Sequence, residues 1–325
     1  MYSESTELRE IRRPSLFAAN GLFFLSLAGI FAVSLLERPI AASLAKFFPG
    51  AGWEVMLLFV QMAYYMLFLF MPTALVLNKG GAWEGARLKP VSAGKLLAVA
   101  ALSLLGAVVV LQVNALWVLL LEALHIPFYN TAIGIPETAV GTVAAVFSYG
   151  VLPGVCEELV FRGAILGAYE RRGTKKAVAV AAVLFALVHG SLGGLPTQLI
   201  LGAIMGFLAF ACDSIYAPMV YHAAHNLALL LIGKLAERLP EQPVEGGTLL
   251  EQVGGPAAVL QSLAFVAALG TGLVFALRAF NRRRIARGIA AVPARRERMS
   301  GGARALLIVA LVLAALLYAV LTMAA

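Results

Sequence analysis

The chain has 325 residues, of which 61% are hydrophobic and only 13% are charged, and its mean hydropathy is +0.90. Ordinary soluble domains are about half apolar and about a quarter charged, so this composition excludes both a soluble enzyme and a disordered chain. The net charge of +8 arises in the segment 278–304, which holds nine arginines against the single acid Glu297. This distribution indicates a membrane protein with one very basic loop, and no nucleic-acid-binding face.

Nine apolar segments approach or exceed the length of about 20 residues that a bilayer span requires. We expect helices, because a span must satisfy its backbone hydrogen bonds internally. The predicted fold is therefore all-α, a polytopic bundle of about nine transmembrane helices. The predicted spans are 15–36, 54–77, 95–121, 138–169, 176–190, 196–212, 217–233, 256–277 and 305–323.

The positions of the basic residues predict the orientation. With the N-terminus in the cytoplasm, the inside segments carry 20 lysines and arginines and the outside loops carry four, as the positive-inside rule requires. The C-terminus is then outside. The first span is read as a retained anchor, because its apolar run is longer than that of a signal peptide. Short loops and Ala/Leu-rich spans suggest a bacterial cytoplasmic membrane.

Ionisable groups within predicted spans mark functional candidates, because they are costly in lipid. The fourth span contains Glu157, Glu158 and Arg162, about 17 Å of helix from its cytoplasmic end. Glu158 and Arg162 are four residues apart, so they share a helix face and should form an ion pair. Glu157 points elsewhere and has no local partner, which suits a general base or acid. The alternative is that all three form one buried ion cluster with only a structural role.

The fifth span ends at His189, at a depth that lets it reach Glu157, and Phe185 lies one turn earlier on the same face. Alone, His189 could be a helix-end histidine bonded to a carbonyl. The seventh span places His222 and Asn226 four residues apart on one face, with small residues between them that allow close approach. The remaining histidine outside this region, His125, lies near a loop and is expected to be unimportant.

The order of these motifs resembles that of the CAAX-protease and bacteriocin-processing family of intramembrane endopeptidases. That family has Glu-Glu-x-x-x-Arg on one span, Phe-x-x-x-His on the next, and His-x-x-x-Asn two spans later. The match covers about residues 140–233. The chain carries all three motifs, as Glu157, Glu158 and Arg162, then Phe185 and His189, then His222 and Asn226.

The resemblance implies specific roles. Glu157 would activate water with the help of His189, and His222 and Asn226 would stabilise the oxyanion. Glu158, Arg162 and Phe185 would support them. The family is often described as metallo-type, so Glu157, His189 and His222 are also candidate zinc ligands, which leaves the cofactor assignment open between none and zinc.

The chain accordingly divides into helices 1–3 (1–137), a catalytic four-helix core in helices 4–7 (138–234), and helices 8–9 with the Arg-rich cytoplasmic loop 278–304 (235–325).

The site must be hydrated, and a cytoplasm-facing cavity is expected. The implied substrate is a peptide or protein, either prenylated or membrane-anchored, and the basic loop is a candidate for binding lipid headgroups. Cys156 is disfavoured as a nucleophile because its neighbours are apolar.

Three functions fit the residues. The first is an intramembrane endopeptidase that uses a Glu/His-activated water. The second is a proton-coupled transporter, because buried Glu and His also form proton relays; an inverted repeat of broken helices, common in such proteins, is not evident. The third is a non-catalytic membrane partner that keeps the same fold for binding or regulation.

Overall fold

The computed structural model describes residues 11–48, 50, 52–128, 138–238, 249–286 and 298–323. Within this part of the chain the architecture is all-helical, which confirms the predicted polytopic bundle, and a helix lies at each of the nine predicted spans. The helices are α1 (Leu16–Phe47), α2 (53–79), α3 (Ala93–Ala123), α4 (Ala139–Arg172), α5 (Thr174–Val188), α6 (Leu195–Cys212), α7 (Tyr216–Ala236), α8 (Gly255–Ala286) and α9 (Gly301–Met323).

Seven of these helices are long and apolar enough to cross a membrane by themselves, and α5 and α7 are the exceptions. α5 has only 15 residues. It packs along α6, α4 and α1, so it can sit at membrane depth with little exposure to lipid. The seven apolar helices make this an integral membrane protein.

Two helices are longer than the sequence predicted. α1 continues through Pro39 to Phe47, where the predicted span ended at residue 36. A helix can absorb a proline when neighbouring packing or water satisfies the freed carbonyl. α8 continues to Ala286, so the first part of the predicted loop 278–304 is helical. Residues 287–297 of that loop, and the side chains of 283–286, lie outside the described part, and its binding of lipid headgroups stays a prediction.

Wide π-helical turns interrupt two helices, α2 and α4. α2 contains one at Tyr65–Phe70, and α4 contains two, at Val146–Val151 and Leu159–Ile165. In α4 these turns lie on either side of the segment Leu152–Glu158, which holds both glutamates. π turns shift the faces of the flanking helical segments, and they are frequent at functional sites.

One end of the bundle is closed by a cluster of ion pairs, which we call the basic-end ion cluster. Glu170, at the end of α4, forms an ion pair with Arg13 at 2.8 Å and accepts a hydrogen bond from Arg87 at 2.5 Å. Arg87 also lies 3.4 Å from Asp213, which pairs with Lys89. Arg87 and Glu170 are buried. The pairs bring together the start of α1 and the loops after α2, α4 and α6, so successive helices run in alternating directions.

A second contact fixes α5 against α6. Gly202 of α6 lies so close to Ala182 of α5 that an added Cβ would be 2.8 Å from the Ala182 Cα. Small residues at helix crossings permit this approach in membranes, where packing and not hydrophobicity drives helix association. The close crossing determines how near Phe185 and His189 of α5 come to the rest of the core.

We predict that Gly202→Ala destabilises the protein by about 1–3 kcal/mol, because one helix must shift to admit the methyl group. Thermal unfolding in detergent micelles measures the change. Gly270→Ala in α8 is the matched control, since an added Cβ there meets no atom within 4 Å. Equal melting temperatures for the two variants would contradict the assigned crossing.

Candidate active site

Glu158 is the most deeply buried acid of the predicted site. It is 0% exposed, and its Oε1 accepts from the Arg162 Nη1 at 2.7 Å and from the His222 Nδ1 at 3.0 Å. The ion pair predicted from the i,i+4 spacing is confirmed. The second partner, from α7, was not predicted. A single carboxylate thus joins α4 to α7.

Arg162 extends this connection to a third helix. Its Nη2 donates to the Gly202 carbonyl of α6 at 3.0 Å, and its guanidinium lies 4.5 Å from the centre of the Phe185 ring. The side chain is 1% exposed. Cation–π contact and hydrogen bonding offset the cost of burying the charge. Phe185 therefore supports Arg162 as well as packing next to His189.

Glu157 faces away from this ion pair. Its Oε1 accepts a hydrogen bond from the Tyr65 hydroxyl of α2 at 3.2 Å. Its Oε2 is buried and has no hydrogen-bond partner among the described residues. A buried carboxylate oxygen without a partner is costly, unless it binds water or a ligand that the coordinates do not include. This residue lies in the wall of the central cavity described below, so the oxygen is available to accept a hydrogen bond there.

His189 lies opposite that oxygen. Its Nε2 is 3.9 Å from Oε2 of Glu157, so the prediction that the two groups meet is confirmed. Its Nδ1 lies 2.7 Å from the Phe185 carbonyl. A carbonyl accepts and does not donate, so Nδ1 carries the proton and the neutral ring presents Nε2 as an acceptor. The sequence analysis considered a bond from His189 to a carbonyl as an alternative to a catalytic role. The structure has this bond, and it also orients the ring towards Glu157.

His222 and Asn226 occupy neighbouring turns of α7, as predicted, and their hydrogen bonds define what they can donate. Since a carboxylate only accepts, Nδ1 of His222 donates to Glu158, and its Nε2 carries a proton only when the ring is doubly protonated. Asn226 Nδ2 donates to the Tyr149 carbonyl at 2.9 Å. Asn226 thus links α7 to α4 through one of its two N–H groups.

The four predicted catalytic side chains line one central cavity of about 740 Å³, a volume within the range of ligand sites. They are Glu157, His189, His222 and Asn226. The sequence analysis missed Tyr65, which lines the same cavity and hydrogen-bonds Glu157. No sequence signal marks it, because Tyr65 lies 92 residues from Glu157 on a helix without other polar motif residues.

The cavity extends to one end of the bundle. From the level of Glu157 its lining continues through Tyr149 of α4, Glu37 of α1 and Lys234 of α7. These positions lie towards the end opposite the basic-end ion cluster. A cytoplasm-facing cavity and a cytoplasmic N-terminus, both predicted from the sequence, are therefore not compatible with each other.

The candidate zinc ligands do not form a metal site in this arrangement. A catalytic zinc needs three protein ligands that converge on one point. Among the described residues, no group of three His, Cys, Asp or Glu side chains has the spacing to hold a metal ion. In this arrangement Glu157, His189 and His222 therefore do not fit a zinc ion, and the chemistry available to them is that of the side chains themselves.

A comparison with protein families supports the motif-based resemblance. Residues 139–228 match the family model described as type II CAAX prenyl endopeptidase Rce1-like. The matched segment covers less than half of the chain, runs from α4 into α7, and contains all seven motif residues. Comparisons with curated proteins and with solved structures give no significant match.

We predict that Arg162→Leu lowers the free energy of unfolding by about 3–5 kcal/mol, because it leaves the buried Glu158 without its cation. Glu158→Gln combined with Arg162→Leu should be more stable than Arg162→Leu alone, since both charges are then removed. Denaturant unfolding in detergent measures both. Arg238→Leu, at an exposed position, is the control and should change stability by less than about 0.5 kcal/mol. A double variant with a lower free energy of unfolding than Arg162→Leu would contradict the assigned ion pair.

Proposed function

We propose that this protein is an intramembrane endopeptidase that hydrolyses a peptide bond with a water molecule held between Glu157 and His189. One observation carries the proposal: the partnerless Oε2 of Glu157 lies 3.9 Å from Nε2 of His189 in the wall of a large cavity. The Rce1-like match of the surrounding segment supports a peptidase reaction. The chemistry is the same whichever face of the membrane the cavity opens on.

The distance between the two groups suits a bridging water. Direct hydrogen bonds end near 3.5 Å, and a longer polar separation commonly contains a water. Both atoms are acceptors, so the water would donate one hydrogen to Oε2 of Glu157 and the other to Nε2 of His189. Its oxygen lone pairs would then face the cavity, where the substrate carbonyl carbon would lie.

Glu157 is the proposed general base. As the water oxygen bonds to the carbonyl carbon, its proton passes to Oε2 and the carbonyl electrons move onto the oxygen. The protonated Glu157 then gives that proton to the departing amine as the carbon–nitrogen bond breaks. General acid–base catalysis of this kind contributes about 10²–10⁴ in rate. The Tyr65 hydroxyl keeps the carboxylate oriented throughout.

The oxyanion needs hydrogen-bond donors on the side of α7. The second N–H of Asn226 is one candidate, since the first is bonded to the Tyr149 carbonyl. His222 serves as a donor through Nε2 only when the ring carries a second proton, because Nδ1 is committed to Glu158. The observed hydrogen bond therefore favours the imidazolium form of His222 as the donor.

The proposed substrate is an extended, membrane-anchored polypeptide. The cavity wall combines apolar side chains of α1 and α7, such as Val33 and Leu229, with polar ones such as Gln61 and Gln198. Sites of this composition bind a largely apolar ligand and orient it with a few polar groups. A prenyl group on the substrate, as the description of the matched family implies, is compatible with these apolar walls.

We predict that Glu157→Gln and His189→Ala each reduce cleavage of a membrane-anchored peptide by at least about 10²-fold, because each removes one of the two acceptors that hold and activate the water. Purified protein in lipid vesicles and mass spectrometry of the products measure the rates. Glu37→Gln removes another carboxylate from the same cavity wall and should keep most of the activity. Wild-type rates for Glu157→Gln and His189→Ala would reject the peptidase proposal.

We further predict that Tyr65→Phe lowers kcat by about 10–100-fold, since a hydrogen bond to a charged group is worth about 1.5–3 kcal/mol. KM should change little if Tyr65 only positions Glu157. Tyr64→Phe is the adjacent control, because its hydroxyl contacts the Ser26 carbonyl at 3.5 Å and not Glu157. An equal loss of kcat in Tyr65→Phe and Tyr64→Phe would contradict the positioning role of Tyr65.

A further inference from the structure

In the part of the chain that the structure describes, the central cavity extends from the motif residues in one direction along the bundle. Its deepest lining residues on α4 and α7 are Glu157 and His222. From there the lining on α7 continues to Lys234, twelve residues or about 18 Å further along the helix. On α1 it continues to Glu37. Glu37 and Lys234 therefore lie at the mouth, at the end where α1 and α7 terminate.

Beneath Glu157 the core is filled. Glu158 and Arg162 occupy the next turns of α4, and both are almost fully buried. Phe161 and Phe185 pack edge to face at 5.2 Å on the same level. The basic-end ion cluster follows beyond them. Among the described residues, none on the ion-cluster side of this layer lines the cavity.

The two ends of the bundle differ sharply in basic residues. The end closed by the ion cluster carries the loops 79–95 and 170–176, with eight lysines and arginines between them. At the cavity end the loops 124–128 and 189–194 carry none, and the basic residues there are Arg38, Lys46, Lys234 and Arg238, near the ends of α1 and α7. Short loops rich in lysine and arginine remain in the cytoplasm. The filled end of the bundle is thus the cytoplasmic one, and the mouth faces the opposite side.

We propose that the active-site cavity receives its substrate from the extracytoplasmic side of the membrane. This inference rests on the proposed peptidase function for the identity of the ligand, but the accessibility itself does not. The class of substrate is an extended polypeptide segment that has already been exported, or that emerges from the outer end of a membrane anchor. A folded domain does not fit a cavity of about 740 Å³, so the supplying reaction must deliver an unfolded chain.

Thiol labelling in sealed membrane vesicles tests the direction of access. Ser34→Cys and Gln61→Cys place a thiol on the cavity wall, and Lys175→Cys places one at the exposed cytoplasmic end. Each is made in full-length protein with Cys156→Ala and Cys212→Ala. A membrane-impermeant maleimide is added to right-side-out and to inverted vesicles. If the cysteine-free protein does not accumulate, the native background serves, with labelling of the unsubstituted protein subtracted.

The expected result is labelling of residues 34 and 61 in right-side-out vesicles and its loss in inverted ones, with the reverse pattern at residue 175. Labelling of both cavity positions only in inverted vesicles would overturn the inference, as would labelling of all three positions from the same side. The pattern should be unchanged when Glu157→Gln is added. Failure of the peptidase proposal and failure of the access proposal are therefore distinguishable.

Discussion

The structure depends on one buried carboxylate. Glu158 accepts from Arg162 on its own helix and from His222 on α7, and Arg162 reaches on to the Gly202 carbonyl of α6. Burying these charges is costly unless each is paired and hydrogen-bonded, so the three helices are held in one relative position. That position places the rings of both His222 and His189 next to Phe185, at 5.7 and 4.7 Å between ring centres.

Two adjacent glutamates perform opposite tasks because of helix geometry. Successive residues on a helix point about 100° apart, so the ion pair that neutralises Glu158 leaves Glu157 directed at the cavity. Arg162 is committed to Glu158, and Glu157 instead receives a single neutral donor, Tyr65. Its other oxygen is left for water. The π turns on both sides of Leu152–Glu158 set the angle at which this segment meets α2 and α7.

The sequence predicted those features that depend on local periodicity. Spans, the Glu158–Arg162 pair and the shared face of Phe185 and His189 all follow from the 3.6-residue repeat of the helix, and the contacts agree. Hydropathy located the helices but not the end of α1 beyond Pro39, since packing against α2 and α9 and not apolarity extends it.

Contacts between distant segments were beyond sequence reasoning. The Tyr65–Glu157 bond joins residues far apart in the chain, and the neighbouring Tyr64 carries the same hydroxyl donor. The bond from Asn226 to the Tyr149 carbonyl depends on the relative rotation of α4 and α7. The direction of the cavity depends on which core layer is filled, and no motif encodes that.

The central claim is that Glu157 and His189 hold the attacking water. It is tested most directly by a structure of the protein in lipid with a phosphinic peptide, whose tetrahedral phosphorus mimics the hydrated peptide bond. The account predicts one phosphinate oxygen within hydrogen-bond distance, about 2.6–3.2 Å, of both Oε2 of Glu157 and Nε2 of His189. A phosphinate seated elsewhere in the cavity, with Glu157 bonded only to protein groups, would contradict it.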